Sequence, residues 1–265
     1  MRKLVFLLLL ISCRSPKIPA VTFREDFENP EFRENWDWID TCCATSIIRT
    51  DSIARTGRYA LRIELNRHDT TQEGLTMTEL ETNMQDMDTT LHWWSFSNYL
   101  PADFQSDSVH EIFAHWLPQV ESCEASVPSP VMLNIYKGNW QLKINWNAKG
   151  ICNPAPEDFG MKEFDLGPWE KSKWTDWLFH IYFSYGENGL VQVWKNGELV
   201  VDYHGPCFYK DADFAYFKIG IMKWVWSSTW PADAEQSVLN HRHYFLDNIR
   251  MGNRKAGPAD FRLSP

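Results

Sequence analysis

Apolar and polar positions along this chain alternate in short runs and almost nowhere repeat with the spacing of a helix. The runs VTFREDFE, YALRIEL, LHWWSFSNYL, EIFAHWL, VMLNIYK, WQLKINW, WLFHIYFSY, LVQVWKNGELVVDYH, YFKIGIMKWVW and HYFLDNIRM read as strands or hairpins separated by turn residues. In VQVWKNGELVVDY, Asn196 and Gly197 supply the two positive-φ residues of a type I′ hairpin turn. KGNW at 137–140 marks a second tight turn, and 119–130 and 227–241 read as longer loops. Many short strands at this spacing predict an all-β fold, a sandwich or jelly roll of two antiparallel sheets.

Alternation also sorts side chains onto faces. On a regular strand Phe113, His115 and Leu117 share one face, and Ile112, Ala114 and Trp116 the other. Both faces are apolar, so the pattern does not say which way His115 points. In HRHYFLDNIRM, Arg242, Tyr244 and Leu246 fall on one face, and His243, Phe245 and Asp247 on the other. Gln141, Lys143 and Asn145 form a polar face between Trp140 and Trp146. His180 alternates with aromatic residues and is expected to be a satisfied interior group. Arg62 and Glu79 are expected to form a buried bridge.

Composition adjusts this picture. The 265 residues suit one β-sandwich domain over 22–265. Fourteen Trp exceed ordinary usage; flat rings with one polar edge suit a sandwich core first and a sugar cleft second. The opening MRKLVFLLLLISC, residues 1–13, has a basic start and an apolar run too short to span a bilayer. It resembles a bacterial lipoprotein signal ending at a lipidated Cys13, followed by a polar tether over 14–21. The resemblance predicts a cell-envelope lipoprotein at the periplasmic side of the outer membrane, with the cell surface as the alternative, and with the lipid as its sole membrane contact. The formal charge is −9; without Arg2 and Lys3 it is −11. An acidic chain lacks the basic footprint of a nucleic-acid binder. Of the cysteines beyond Cys13, an odd five remain, so one thiol stays unpaired. Adjacent Cys42 and Cys43 are expected not to bond each other, and Cys123 with Cys152 is one pairing the sequence allows. No CxxC or HExxH spacing suggests zinc.

DFENPEF, TGRYALRIEL, MTELE, WWSFSNYLPADF, EIFAHW, GLVQVWKNGELVVDYHGP, YFKIGIMKW and YFLDNIRMGN occur in that order over nearly the whole mature chain. As an ordered set they resemble the bacterial polysaccharide lyase family that includes heparin lyase I and glucuronan lyase. The resemblance implies a concanavalin-like jelly roll whose concave sheet holds an anionic polysaccharide, and cleavage of uronic-acid glycans by β-elimination. That reaction needs the C6 carboxylate neutralised, a base for the C5 proton and an acid for the leaving O4, with no cofactor. The catalytic candidates are His115, Tyr244 and Arg242; those for substrate binding are Lys223, Trp224, His243, Lys143 and Asn145. By the same resemblance a structural calcium ion is expected at Glu28, the Gly57 carbonyl and Asp247. A monomer is expected. The chain departs from the family pattern at three places. Met77-Thr78-Glu79 stands where Arg-x-Glu is expected, His115-Trp116-Leu117 where Gln-Trp-His is expected, and Met222 where a Tyr is expected. The alternative is therefore a catalytically impaired homologue serving as a glycan-binding lipoprotein. A glycoside hydrolase would need facing carboxylates, and no E-x-D-x-x-E signature is present.

Overall fold

The computed structural model describes residues 19–69, 74–82, 91–119, 127–152, 154–228 and 230–262. The signal segment with Cys13, most of the tether, Cys123 and much of the 119–130 loop lie outside the described residues. Two antiparallel sheets account for the described strands. The first runs in the order β13 (Glu198–His204), β12 (Leu190–Lys195), β11 (Trp174–Tyr182), β6 (Leu91–Tyr99), β15 (His241–Gly252), β4 (Ala60–Asn66), β3 (Ile47–Thr50), and β1 (Val21–Glu25) also pairs with β15. The second runs β10 (Gly160–Pro168), β9 (Asn139–Trp146), β8 (Val131–Tyr136), β7 (Glu111–Pro118), β14 (Ala215–Met222), β5 (Met77–Thr82), β2 (Trp38–Asp40). Helical structure among the described residues is limited to 3-10 turns of three or four residues. This is the expected all-β jelly-roll sandwich. β2, β3, β5 and β10 were absent from the pattern reading: β2, β3 and β10 are edge strands too short or too polar to alternate clearly, and β5 is buried on both faces.

Both predicted turns form. Asn196 and Gly197 take φ of 54° and 83°, and Lys137 and Gly138 take 48° and 90°. Aromatic rings fill the space between the sheets. Trp94 of β6 meets Trp116 of β7 edge-on at 5.3 Å, and Trp177 of β11 meets Trp140 of β9 at 5.2 Å. All four indoles are buried, so much of the tryptophan excess is core.

Contrary to expectation, Cys42 and Cys43 form a disulfide, with Cα atoms 3.8 Å apart. Cys152 is also disulfide-bonded, and Cys207 is the buried free thiol that the odd count required. Burial pushes the Cys207 thiol up to about 11, so it is inert at neutral pH.

Candidate active site

Strand β7 carries a β-bulge that decides where its side chains go. Ile112 pairs with Asn134 of β8 but Ala114 pairs with Leu133, leaving Phe113 as the extra residue. Phe113, Ala114 and Trp116 pack into the core, whereas Ile112 packs with Met77 and Met222 in a separate cluster on the outer face. Regular alternation would have put Phe113 and His115 together. The bulge separates them and turns His115 outward.

Cross-strand pairing lines up one row on that outer face. Trp38, Glu81, Lys218, His115, Met132, Lys143 and Glu163 stand opposite one another from β2 to β10. His115 is only 2% exposed. Its Nδ1 lies 2.8 Å from Ser129 Oγ and its Nε2 lies 3.0 Å from Glu79 Oε1. Nδ1 is hydrogen-bonded and Nε2 lies at ion-pair distance from a carboxylate, and burial shields the imidazole from a polymer. Glu79 pairs with His115 and Arg62 with Glu64, so the expected Arg62–Glu79 bridge does not form. Lys218 sits between Asp40, at 2.7 Å, and Glu81, at 3.0 Å. Burial opposes its charge, but Glu79, Asp40 and Glu81 outweigh that and hold its ammonium well above the usual lysine range.

The other two catalytic candidates lie elsewhere. β15 belongs to the first sheet, and the face shared by Arg242, Tyr244 and Leu246 is the interior one. Tyr244 is fully buried, stacks on Phe113 at 4.2 Å and donates its phenol proton to Gly220 O at 2.7 Å. Burial, with Glu111 and Glu79 nearby, pushes this phenol well above its ordinary value. Arg242 is 2% exposed and donates from Nε to Glu111 Oε2 at 2.7 Å and from Nη1 to Gln105 O. The alternation in this strand was legible; which sheet it joined was not. His115, Tyr244 and Arg242 therefore do not converge on one groove.

The substrate-binding candidates divide in the same way. Lys223 points inward, fully buried, and binds Asp107 at 2.7 Å and Glu111 at 3.0 Å; it is a core ion, out of reach of a glycan. His243 lies on the outer face of the first sheet, 3.8 Å from Asp103. Trp224 is 45% exposed. Asn145 is buried on the outer face of the second sheet and donates to Ser129 O. Lys143 lies on that face too, 2.8 Å from Glu163 and 3.4 Å from His110 Nε2. His110 and Tyr136 escaped the sequence reading. The period-2 face Met132, Asn134, Tyr136 was available to locate Tyr136; His110 sits just before the strand as read. His180 is bonded to Gln192 and stacked on Trp93, but on the outer face of the first sheet and only half-buried.

At two of the three departures, Met77 and Met222 pair across β5 and β14 and form an apolar cluster with Ile112, against which Leu75 and Met132 pack. The family's expected arginine and tyrosine positions are thus hydrocarbon. A cavity of about 430 Å³ lies on the far side of the molecule, on the first sheet beside Ser97, Asp176, Trp194 and Phe261. Nothing titratable there is arranged for elimination.

The calcium candidates sit together near the 55–59 loop. Glu28 Oε1 accepts the amides of Arg58 and Tyr59, and Asp247 accepts those of Arg55, Thr56 and Asn248. Burial raises Asp247 to about 6. These carboxylates already organise the loop through backbone donors, Asp26 lies near enough to raise Asp247, and calcium takes six to eight oxygens. Among the described residues, the one cluster of three metal-type ligands is Cys42, Cys43 and Asp69, whose two sulfurs are tied in the disulfide.

A family model described as "Polysaccharide lyase" matches residues 27–250. The chain belongs to the polysaccharide lyase family. Among solved structures it is similar to an endo-β-1,4-glucuronan lyase from the fungus Trichoderma reesei, with a TM-score of 0.74, 14% identity, and coverage of 89% of this chain and 97% of that one. It is also similar to a marine alginate lyase from Aplysia kurodai, with a TM-score of 0.57, 11% identity, and coverage of 89% and 100%. At these identities the likeness establishes the fold of this lyase-family protein. A comparison with curated protein sequences finds no match.

Proposed function

We propose that this family member binds a uronic-acid polysaccharide across the outer face of its second sheet and cleaves it by β-elimination. The observation that carries the reading is where the family's motifs lie. MTELE, EIFAHW and YFKIGIMKW form three adjacent strands, and their shared outer face and its extension onto β8 and β9 collect imidazole, ammonium and phenol groups. Those are the groups that elimination next to a carboxylate requires. Exposed Trp38 at one edge of the face offers a stacking surface for a sugar ring. Glucuronan and alginate, named for the two neighbours, are the first substrates to try. Incubation with a panel of uronate polysaccharides, followed by ultraviolet absorbance of the unsaturated product, tests the reading. Absorbance that stays flat on every polymer at high protein concentration refutes it.

A second reading, glycan binding without cleavage, draws on Met77, Leu117 and Met222 at positions where the resemblance expects an arginine, a histidine and a tyrosine. It predicts retention on immobilised polysaccharide with no change in chain length. We further propose that a lipid on Cys13 holds the protein at the outer membrane, facing the periplasm; palmitate labelling that survives Cys13→Ser would refute the anchor.

A further inference from the structure

Resting on the polysaccharide reading, one end of the outer face narrows down where a uronate sits. β8 turns Met132, Asn134 and Tyr136 outward, β9 turns Gln141 and Lys143 outward, and His110 leads into β7 beside them. His110 and Tyr136 stack with ring centres 4.0 Å apart and planes 11° from parallel. Lys143 Nζ lies 3.4 Å from His110 Nε2 and 2.8 Å from Glu163. Asn134 is 1% exposed, and neither its amide nitrogen nor its oxygen has a hydrogen-bond partner. Gln141 Oε1 and His110 Nδ1 are likewise buried and unpartnered. These four atoms sit together on three neighbouring side chains with no protein partner, so they are free to bond a ligand beside the Lys143 ammonium.

Among the described residues, the rest of the face can border the polymer but offers no ammonium free to take one of its carboxylates. Around Lys218 three carboxylates, Asp40, Glu79 and Glu81, surround one ammonium. Met77, Met222 and Ile112 form a separate apolar row that runs up to Asn134 and Gln141. At the β8–β9 end, Lys137 and Lys143 with His110 face Glu163 and Glu235.

We infer that this end is a carboxylate seat for a uronic acid residue. Lys143 takes the C6 carboxylate in place of Glu163, and the Asn134 amide nitrogen donates to it. Asn134 and Gln141 oxygens accept sugar hydroxyls. In turnover, His110 Nε2, released from Lys143, takes the C5 proton. The C5–H electron pair forms the C4–C5 double bond, and the C4–O4 bond breaks with its pair leaving on O4. The Tyr136 phenol protonates O4, and the imidazolium returns its proton to the phenolate through water.

The test is calorimetric titration of the full chain with glucuronan- and alginate-derived oligosaccharides, alongside rates on the parent polymers, with each variant's fold checked by thermal melting. Lys143→Gln is expected to weaken binding about tenfold or more, since a charge-assisted bond is lost. Glu163→Gln is expected to tighten it by about threefold, since a competitor for Lys143 is neutralised. Lys171→Gln, exposed and on a strand-edge bridge away from this face, is the charge-matched control and is expected to bind like wild type. His110→Gln is expected to lower kcat about a hundredfold with little change in KM. Wild-type affinity in Lys143→Gln, or weaker binding in Glu163→Gln, overturns the seat. Full turnover in His110→Gln overturns the base assignment while leaving the lyase reading intact. Lys143-dependent binding with no unsaturated product from any polymer supports the seat and refutes the lyase reading instead.

Discussion

At the scale of single residues, environment decides which titratable groups can work at neutral pH. Burial lowers the His110 imidazole below its ordinary value, and Lys143 adds to that. Lys137 pushes the same way, while Glu163 and Glu235 pull back. A lowered histidine is neutral, hence basic, well into mildly acid solution. The acid limb of kcat/KM should therefore fall below the ordinary histidine value of ~6.5, and Lys143→Gln should move it upward; initial rates across a pH series check both. Tyr244 is the opposite case. Its phenol is sealed against Gly220 O, so Tyr244→Phe should cost about 1–2 kcal/mol in urea unfolding and leave glycan affinity unchanged. Lysine and histidine letters in the sequence carried none of this distinction. Lys223 and Lys143 both looked like cleft cations, and only burial separates the core ion from the surface one.

At the scale of elements, register matters more than composition. Alternation was read correctly in β9 and in β15 as far as Leu246; β15 shifts register only beyond Asp247. It failed in β7, because a bulge at Phe113 inserts one residue and changes the phase of everything after it. A bulge leaves no residue signature in EIFAHWL. β14 has its own constraint. Gly220 has φ of +155°, and a Cβ there would meet Thr78 O at 2.0 Å. Only glycine allows β5 to approach this closely. Gly220→Ala should therefore destabilise the protein by about 2–3 kcal/mol, seen as a lower midpoint in thermal or urea unfolding. If the seat lies on β8 and β9, the carboxylate affinity of the variant that remains folded should persist.

At the scale of the whole molecule, the two sheets are locked by more than aromatic packing. Lys223 from the end of β14 and Arg242 of β15 share Glu111 of β7, and Lys223 also binds Asp107. Burial opposes charge on Glu111, but Lys223 and Arg242 outweigh it and hold its carboxyl below the usual range. Burial likewise opposes Asp107, and the Lys223 and Ser237 bonds bring it below its ordinary value. A carboxylate lowered on folding contributes stability above its unfolded value and loses it as pH falls through the folded one. Stability should thus be level near neutrality and decline below about pH 4, and Lys223→Met should unfold about 3–5 kcal/mol more easily by leaving Asp107 without its cation and Glu111 with Arg242 alone. Urea midpoints at a series of pH values check the decline, and one comparison at neutral pH checks the variant. What the sequence determined alone was the local part: strand-forming runs, both tight turns, the faces of β9 and β15, and motifs ordered as in the polysaccharide lyase family. These are legible because side-chain alternation and positive-φ turns depend on near neighbours. The tertiary structure alone decided which sheet each strand joined, that the Arg242–Tyr244 face turns inward, and that His110, Tyr136 and Lys143 meet. Those outcomes depend on pairing between residues far apart in the chain, and on a bulge whose position neighbouring residues do not specify.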